Sequence, residues 1–151
     1  SYGEGEMLET LGMISSETHS ENMPLLGMIY PRGENLSVMN EDDTEAAAHA
    51  ARLGFELGCD VIKTKWTGSI DSFRKVTSAV PIPVLIAGGP SGNSDEEILT
   101  MVHQAMQAGA AGVCMGRQIF ANKAPEKIIK ALRMIIHENE DVDTAMKTSG
   151  L

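Results

Sequence analysis

Lys63 and Lys65 stand two residues apart in "DVIKTKWTGS" (60–69), a segment whose apolar and β-branched residues read as a buried strand. Burying an ammonium is costly unless it is paired or used. Side chains alternate along a strand, so Val61, Lys63 and Lys65 share one face while Ile62 and Thr64 share the other. Two cations on one face raise each other's cost of protonation, and desolvation adds to it. Both effects favour the neutral amine that attack on a carbonyl requires. The same spacing also suits a structural lysine whose head snorkels to water or pairs with an acid elsewhere.

Other groups of chemical interest collect where apolar runs end. Tyr30 closes "MPLLGMIY"; its hydroxyl could serve as a general acid/base, or it could be a core tyrosine with a wet tip. Gly88 and Gly89 end "IAGGP", and Gly116 and Arg117 follow "AGVCM". Paired glycines let backbone N–H groups approach a phosphate closely, and an arginine adds a charge-assisted contact. The alternative is tight turns and a surface charge. His19, His49, His103 and His137 fall on helical patterns away from these ends, and no spacing suits a metal site.

The elements that must carry these residues alternate in type. An amphipathic helix over about 7–20 precedes four strand–helix pairs. The strands are expected at 23–30, 60–66, 82–89 and 111–116, apolar on both faces. The helices are "EDDTEAAAHAARLGFELG", ended by Gly58; "SIDSFRKVTSAV"; "SDEEILTMVHQAMQAG", with a Ser94/Glu97 capping box; and "APEKIIKALRMIIHEN", with Pro125 in its first turn. "PRG" is expected to turn the chain after the first strand, "RQIFAN" to form a short extra helix, and "DVDTAMK" one further turn. This order predicts a parallel sheet covered by helices. Four βα units make either a small doubly wound sheet or half of a (β/α)8 barrel; both place a site at the C-terminal ends of the strands.

The totals limit the function classes. The 151 residues are 42% hydrophobic and 22% charged, as in a soluble single domain. A net charge of −9 argues against a nucleic-acid or anionic-membrane partner. Cys59 and Cys114, two lone thiols, point to a reducing, cytoplasmic setting, and no apolar run is long enough to span a bilayer.

Together, "MPLLGMIYPRG", "DVIKTKWTGSIDSF", "PVLIAGGPSGNSDEE", "AGAAGVCMGRQIF" and "IIHENEDVDTAMK" resemble the archaeal-type class I fructose-bisphosphate aldolases. That family includes 2-amino-3,7-dideoxy-D-threo-hept-6-ulosonate synthases and autoinducer-processing relatives. The similarity runs from about Gly12 to Lys147. It implies a (β/α)8 TIM barrel and a metal-free, cofactor-free Schiff-base mechanism on a phosphorylated ketose. It matches Lys63 to the Schiff-base lysine and Tyr30 to the general acid/base. Gly88, Gly89, Gly116 and Arg117 match the phosphate loops, and Lys65 is a substrate-facing neighbour. It also implies a homo-oligomer. The family's acidic "MDHG" motif and its first strands are absent, so the expectation is the C-terminal half of the barrel, about four βα units. The competing expectations are the synthase activity, towards which "HENEDVDTAMK" leans, and a non-catalytic phosphate-binding half barrel.

Overall fold

A computed structural model of the chain describes residues 3–32, 43–89 and 92–151. The elements run α1 (Glu4–Ser20), β1 (Leu26–Met28), α2 (Asp43–Glu56), β2 (Val61–Thr64), α3 (Ile70–Thr77), β3 (Val84–Ala87), α4 (Asp95–Gln107), β4 (Gly112–Cys114), α5 (Arg117–Phe120), α6 (Pro125–Glu138) and α7 (Val142–Ser149). Every expected helix and strand is present. The "PRG" turn reaches Gly33, outside the described residues. The strands are shorter than their apolar runs, most of all β1. Pro24 has no N–H to give a ladder, and the next N–H, of Leu25, donates instead to the Asp60 carboxylate at 2.7 Å.

Helix boundaries follow their caps. Ser94 accepts from the Glu97 N–H at 3.2 Å while the Glu97 carboxylate accepts from the Ser94 N–H at 2.7 Å, so the capping box is formed. Ser69 and Ser72 make a second reciprocal cap at the start of α3. Asn139 (φ 58°) ends α6 and Gly150 (φ 80°) ends α7, both in the left-handed conformation that frees a helix's last carbonyls to be capped. The helix α7 is longer than the single turn expected, because Asp141 caps it and Ala145 is fully buried.

The Asp141 carboxylate accepts from the Thr144 N–H at 2.8 Å and from its hydroxyl at 2.9 Å, which holds its pKa below the ordinary carboxylate range. A depressed folded-state pKa contributes stability above the unfolded value, roughly pH 4, and loses it as pH falls through the folded value. The melting-temperature gap between wild type and Asp141→Asn is therefore expected to be largest near neutral pH and to close in acid. A gap that stays constant with pH would mean the charge plays no part in the cap.

All four strands are parallel, in the order β1-β2-β3-β4. Partners across the sheet share a face, and burial follows that rule. Gly27, Ile62 and Val84 form one covered row and Thr64 and Ile86 another, all buried. The helices pack there, with a core of Phe73, Val76, Leu99, Val102, Ile128 and Ile135. Close approach depends on two glycines: a Cβ at Gly54 of α2 would come within 2.6 Å of the Ile62 side chain, and one at Gly27 within 2.6 Å of the Cys59 sulfur.

The opposite face carries Leu26, Met28, Val61, Lys63, Leu85, Ala87 and Cys114, all exposed or half-exposed. Met28 is 61% exposed and Leu26 38%. A doubly wound sheet would reverse its strand order and carry helices on both faces. This sheet does neither. Its sequential order with helices on one face is the arrangement of half a (β/α)8 barrel. The expectation of strands buried on both faces is thereby corrected. Among the described residues the side chains on the open face, opposite the helices, are exposed or half-exposed on all four strands, so Lys63 and Lys65 are half-exposed rather than buried.

Candidate active site

Lys63 occupies the middle of the open face. It lies on β2, a central strand, with Met28 of β1 and Leu85 of β3 as its cross-strand partners. Its Nζ approaches the Met28 sulfur at 3.7 Å. Thr64, next along β2, points the other way into the core, where its hydroxyl is buried without a hydrogen-bond partner. The alternation expected from sequence therefore holds for Val61 through Thr64: the lysine faces the open side and Ile62 and Thr64 face the helices.

Lys65 follows the end of β2 and is half-buried. The loop after it is tied to α3 by two contacts. Trp66 packs against Phe73 of α3 with ring centroids 5.2 Å apart and planes tilted by 47°. The Thr67 and Ser72 hydroxyls share a hydrogen bond of 2.8 Å. Tyr30 lies two residues beyond Met28, half-buried, with the Arg32 guanidinium 5.9 Å from its ring centroid.

The glycine positions sit at the ends of the other two strands. Gly88 is buried and Gly89 is exposed with φ 69°, in the left-handed region where glycine costs nothing. Gly116 and Arg117 are exposed at the start of α5. One residue that sequence reasoning missed joins these two ends. The Gln118 side-chain amide donates to the Gly88 carbonyl and, at 2.8 Å, to the Gly89 carbonyl. No sequence signal marks it, because its partners are backbone atoms about thirty residues upstream. The structure thus brings the glycines of β3 and β4 together through Gln118 and places Lys63 one strand away from β3.

Two features lie apart from this cluster. A concavity of about 600 Å³ opens between Trp66 and the first turns of α4, lined by Ser94, Glu96 and Glu97. Its carboxylates repel an anion, and Glu97 is already held in the cap. The four histidines lie on α1, α2, α4 and α6, as expected. Among the described residues no group of three or more His, Cys, Asp or Glu side chains is placed to hold a metal ion, and no helix is long and apolar enough to cross a membrane.

The two thiols differ in kind. Cys59 lies beneath Gly27; burial, then the neighbouring Asp60 charge, pushes its thiol pKa up. Cys114 is half-exposed on the open face of β4. Thiolates are the reactive form. Iodoacetamide is therefore expected to label Cys114 in the native chain and Cys59 only after denaturation, as read by peptide mass mapping. Equal labelling rates would mean the β1–α2 packing is not formed.

Comparison with known proteins gives this geometry a lineage. A sequence model described as "DeoC/LacD family aldolase" matches residues 1–122. The chain belongs to the DeoC/LacD aldolase family. Within reach of the family chain is the 2-amino-3,7-dideoxy-D-threo-hept-6-ulosonate synthase 1 of Archaeoglobus fulgidus, 42% identical over 97% of this chain and 53% of that protein. A solved archaeal fructose-1,6-bisphosphate aldolase has its catalytic lysine covalently bound to the carbinolamine intermediate of the substrate. It superposes with a TM-score of 0.81 at 33% identity, over 89% of this chain and 53% of that one. A fructose-bisphosphate aldolase from Slackia heliotrinireducens superposes at 0.87 with 26% identity, over 99% and 50%. The chain spans about half the length of the curated relatives and structures it matches. Half of a (β/α)8 barrel is also what its sheet topology describes.

Proposed function

We propose that the chain carries the Schiff-base half of a class I aldolase acting on a phosphorylated ketose. The observation that carries this reading is Lys63 on the open face of the half barrel, beside the strand ends where the glycine loops converge. The family membership and the lysine-bound intermediate of the archaeal relative support it.

In this reading the Lys63 amine attacks the ketone carbon and forms a carbinolamine. Loss of water then gives an iminium. Retro-aldol cleavage sends the C–C bonding pair into the iminium, forming an enamine and releasing an aldehyde. Tyr30 moves the proton that leaves the substrate hydroxyl and later returns one to the enamine carbon. Gly88, Gly89, Gly116 and Arg117 receive the phosphate, which fixes the carbonyl against the amine. Lys65 contacts substrate from the same face.

Fructose bisphosphate is the substrate the structural relatives favour; the heptulosonate synthase reaction is favoured by the higher identity of the Archaeoglobus fulgidus relative. The reading includes a barrel completed by four further strands, self-association and a cytoplasmic location.

The test is borohydride trapping with dihydroxyacetone phosphate, followed by peptide mapping. A reduced adduct on Lys63 supports the reading. An adduct on Lys65 moves the nucleophile by one pleat repeat. No adduct with any ketose phosphate, in this chain or in one supplying the complementary half, overturns it. Comparing cleavage of fructose 1,6-bisphosphate with synthase turnover then separates the two substrates.

A further inference from the structure

The connection from β3 to α4 is gripped at both ends by one short segment. At its start, Gln118 Nε2 donates to the carbonyls of Gly88 and Gly89. At its end, Asn122 Nδ2 donates to the Asp95 carboxylate at 2.6 Å, while Asn122 Oδ1 accepts from the Ala124 N–H at 2.8 Å. Gln118 lies within α5 and Asn122 two residues past its end, so one short segment makes both contacts. A side chain at Gly88 would displace this grip: a Cβ there would fall 2.6 Å from the Gln118 carboxamide carbon.

A trans peptide is planar, and its N–H points opposite to its C=O. Holding the Gly88 carbonyl therefore sets the direction of the Gly89 N–H, away from Gln118. The next peptide offers no donor, since residue 90 is proline. The Gly89 N–H is thus the donor at this turn whose aim the amide controls. A glycine pair left to itself would sample many directions, and that freedom would be lost on binding an anion.

We infer that Gln118 is a positioning residue for the phosphate of the substrate: its carboxamide locks the Gly88–Gly89 turn so that the Gly89 N–H is pre-aimed, and Asn122 anchors the far end of the same loop. This rests on the aldolase reading above for the identity of the substrate, and on geometry alone for the clamp. Gln118 does not touch the reacting carbonyl. Its removal weakens phosphate capture and leaves the amine chemistry intact.

Two measurements on the full chain test it. In the first, inorganic phosphate is titrated while the Gly88 and Gly89 amide resonances are followed. They shift in wild type, and Gln118→Met needs about tenfold more phosphate, the scale of one lost positioning hydrogen bond. Gly88→Ala, which displaces the carboxamide from the other side, gives the same weakening. In the second, borohydride trapping is titrated with dihydroxyacetone phosphate and with dihydroxyacetone. The half-saturating concentration of the phosphorylated ketone rises about tenfold in Gln118→Met, while the maximal trapping rate and the response to dihydroxyacetone stay at wild-type values. Glycine resonances that ignore phosphate in wild type, or identical titrations in wild type and Gln118→Met, overturn the clamp. If trapping fails in wild type while the amide shifts still depend on Gln118, the clamp stands and the aldolase reading falls. If wild type traps on Lys63 with a half-saturation that Gln118→Met leaves unchanged, the reverse holds.

Discussion

Lys63→Ala is expected to abolish borohydride trapping with dihydroxyacetone phosphate and to lower aldol cleavage by about 10³-fold or more, at least ~4 kcal/mol of lost transition-state stabilisation. The effect is large because no other group described at this site can form the iminium from the same position. Lys65 lies two residues further, past the end of β2, about 7 Å along the strand direction. Lys65→Ala is accordingly expected to weaken ketose-phosphate binding while the adduct still forms on Lys63. Lys63→Arg is expected to be as inactive as Lys63→Ala, since a guanidinium keeps its proton and offers no free amine. The fold should not suffer. Lys63 is half-exposed on an open face, and substitutions at such positions shift stability by about 0.5 kcal/mol or less. Far-UV circular dichroism and thermal melting of the three variants should overlay wild type. Trapping that persists in Lys63→Ala and vanishes in Lys65→Ala would reassign the nucleophile.

Phe73→Ala is the substitution expected to cost the most stability. Phe73 is completely buried on α3 between the sheet and the neighbouring helices, and it packs against Trp66. Truncating a buried phenylalanine costs about 3–5 kcal/mol. That is a large share of the roughly 5–15 kcal/mol holding an ordinary domain together. A sheet with one bare face has less buried area to draw on than a closed barrel, so the variant is expected to lie close to its unfolding threshold. Trp66 is the chain's single tryptophan, so its emission reports the loss directly. The expected result is a red-shifted emission and a urea midpoint well below wild type. Phe73→Leu, which keeps most of the volume, is expected to fall between them. The consequence reaches the site, because Trp66 directly follows Lys65 and Phe73 holds that loop against α3. An unchanged midpoint in Phe73→Ala would mean the β2–α3 loop is not held by this packing.

Much of this was legible in the chain itself. The order of elements follows from hydrophobic period and caps: the Ser94/Glu97 box, Pro125 at the start of α6, Gly58 after α2. These are local signals, carried by residues three or four apart. The facing of Lys63 was also legible, because strand geometry fixes the alternation once β2 is recognised. The candidate residues at the strand ends could be found for the same reason: in a parallel sheet all C-terminal ends lie on one side, so residues far apart in sequence must gather there.

What sequence alone determined, then, is the set of elements, the residues each strand end presents and the family the chain belongs to. Tertiary structure decided three further matters. The first is the choice between a doubly wound sheet and half a barrel, which depends on strand order and on which face the helices take, and neither is encoded in any one segment. The second is the exposure of the lysines. The sequence pattern of "DVIKTKW" suits a strand covered on both sides, and only the structure shows Lys63 half-exposed on an inner face it shares with the exposed Leu26 and Met28. The third is Gln118, whose carboxamide meets two backbone carbonyls across about thirty residues. A side chain that bonds to backbone leaves no trace in the identity of its partner beyond the absent Cβ of Gly88. Contacts of that kind exist only once the strands lie side by side.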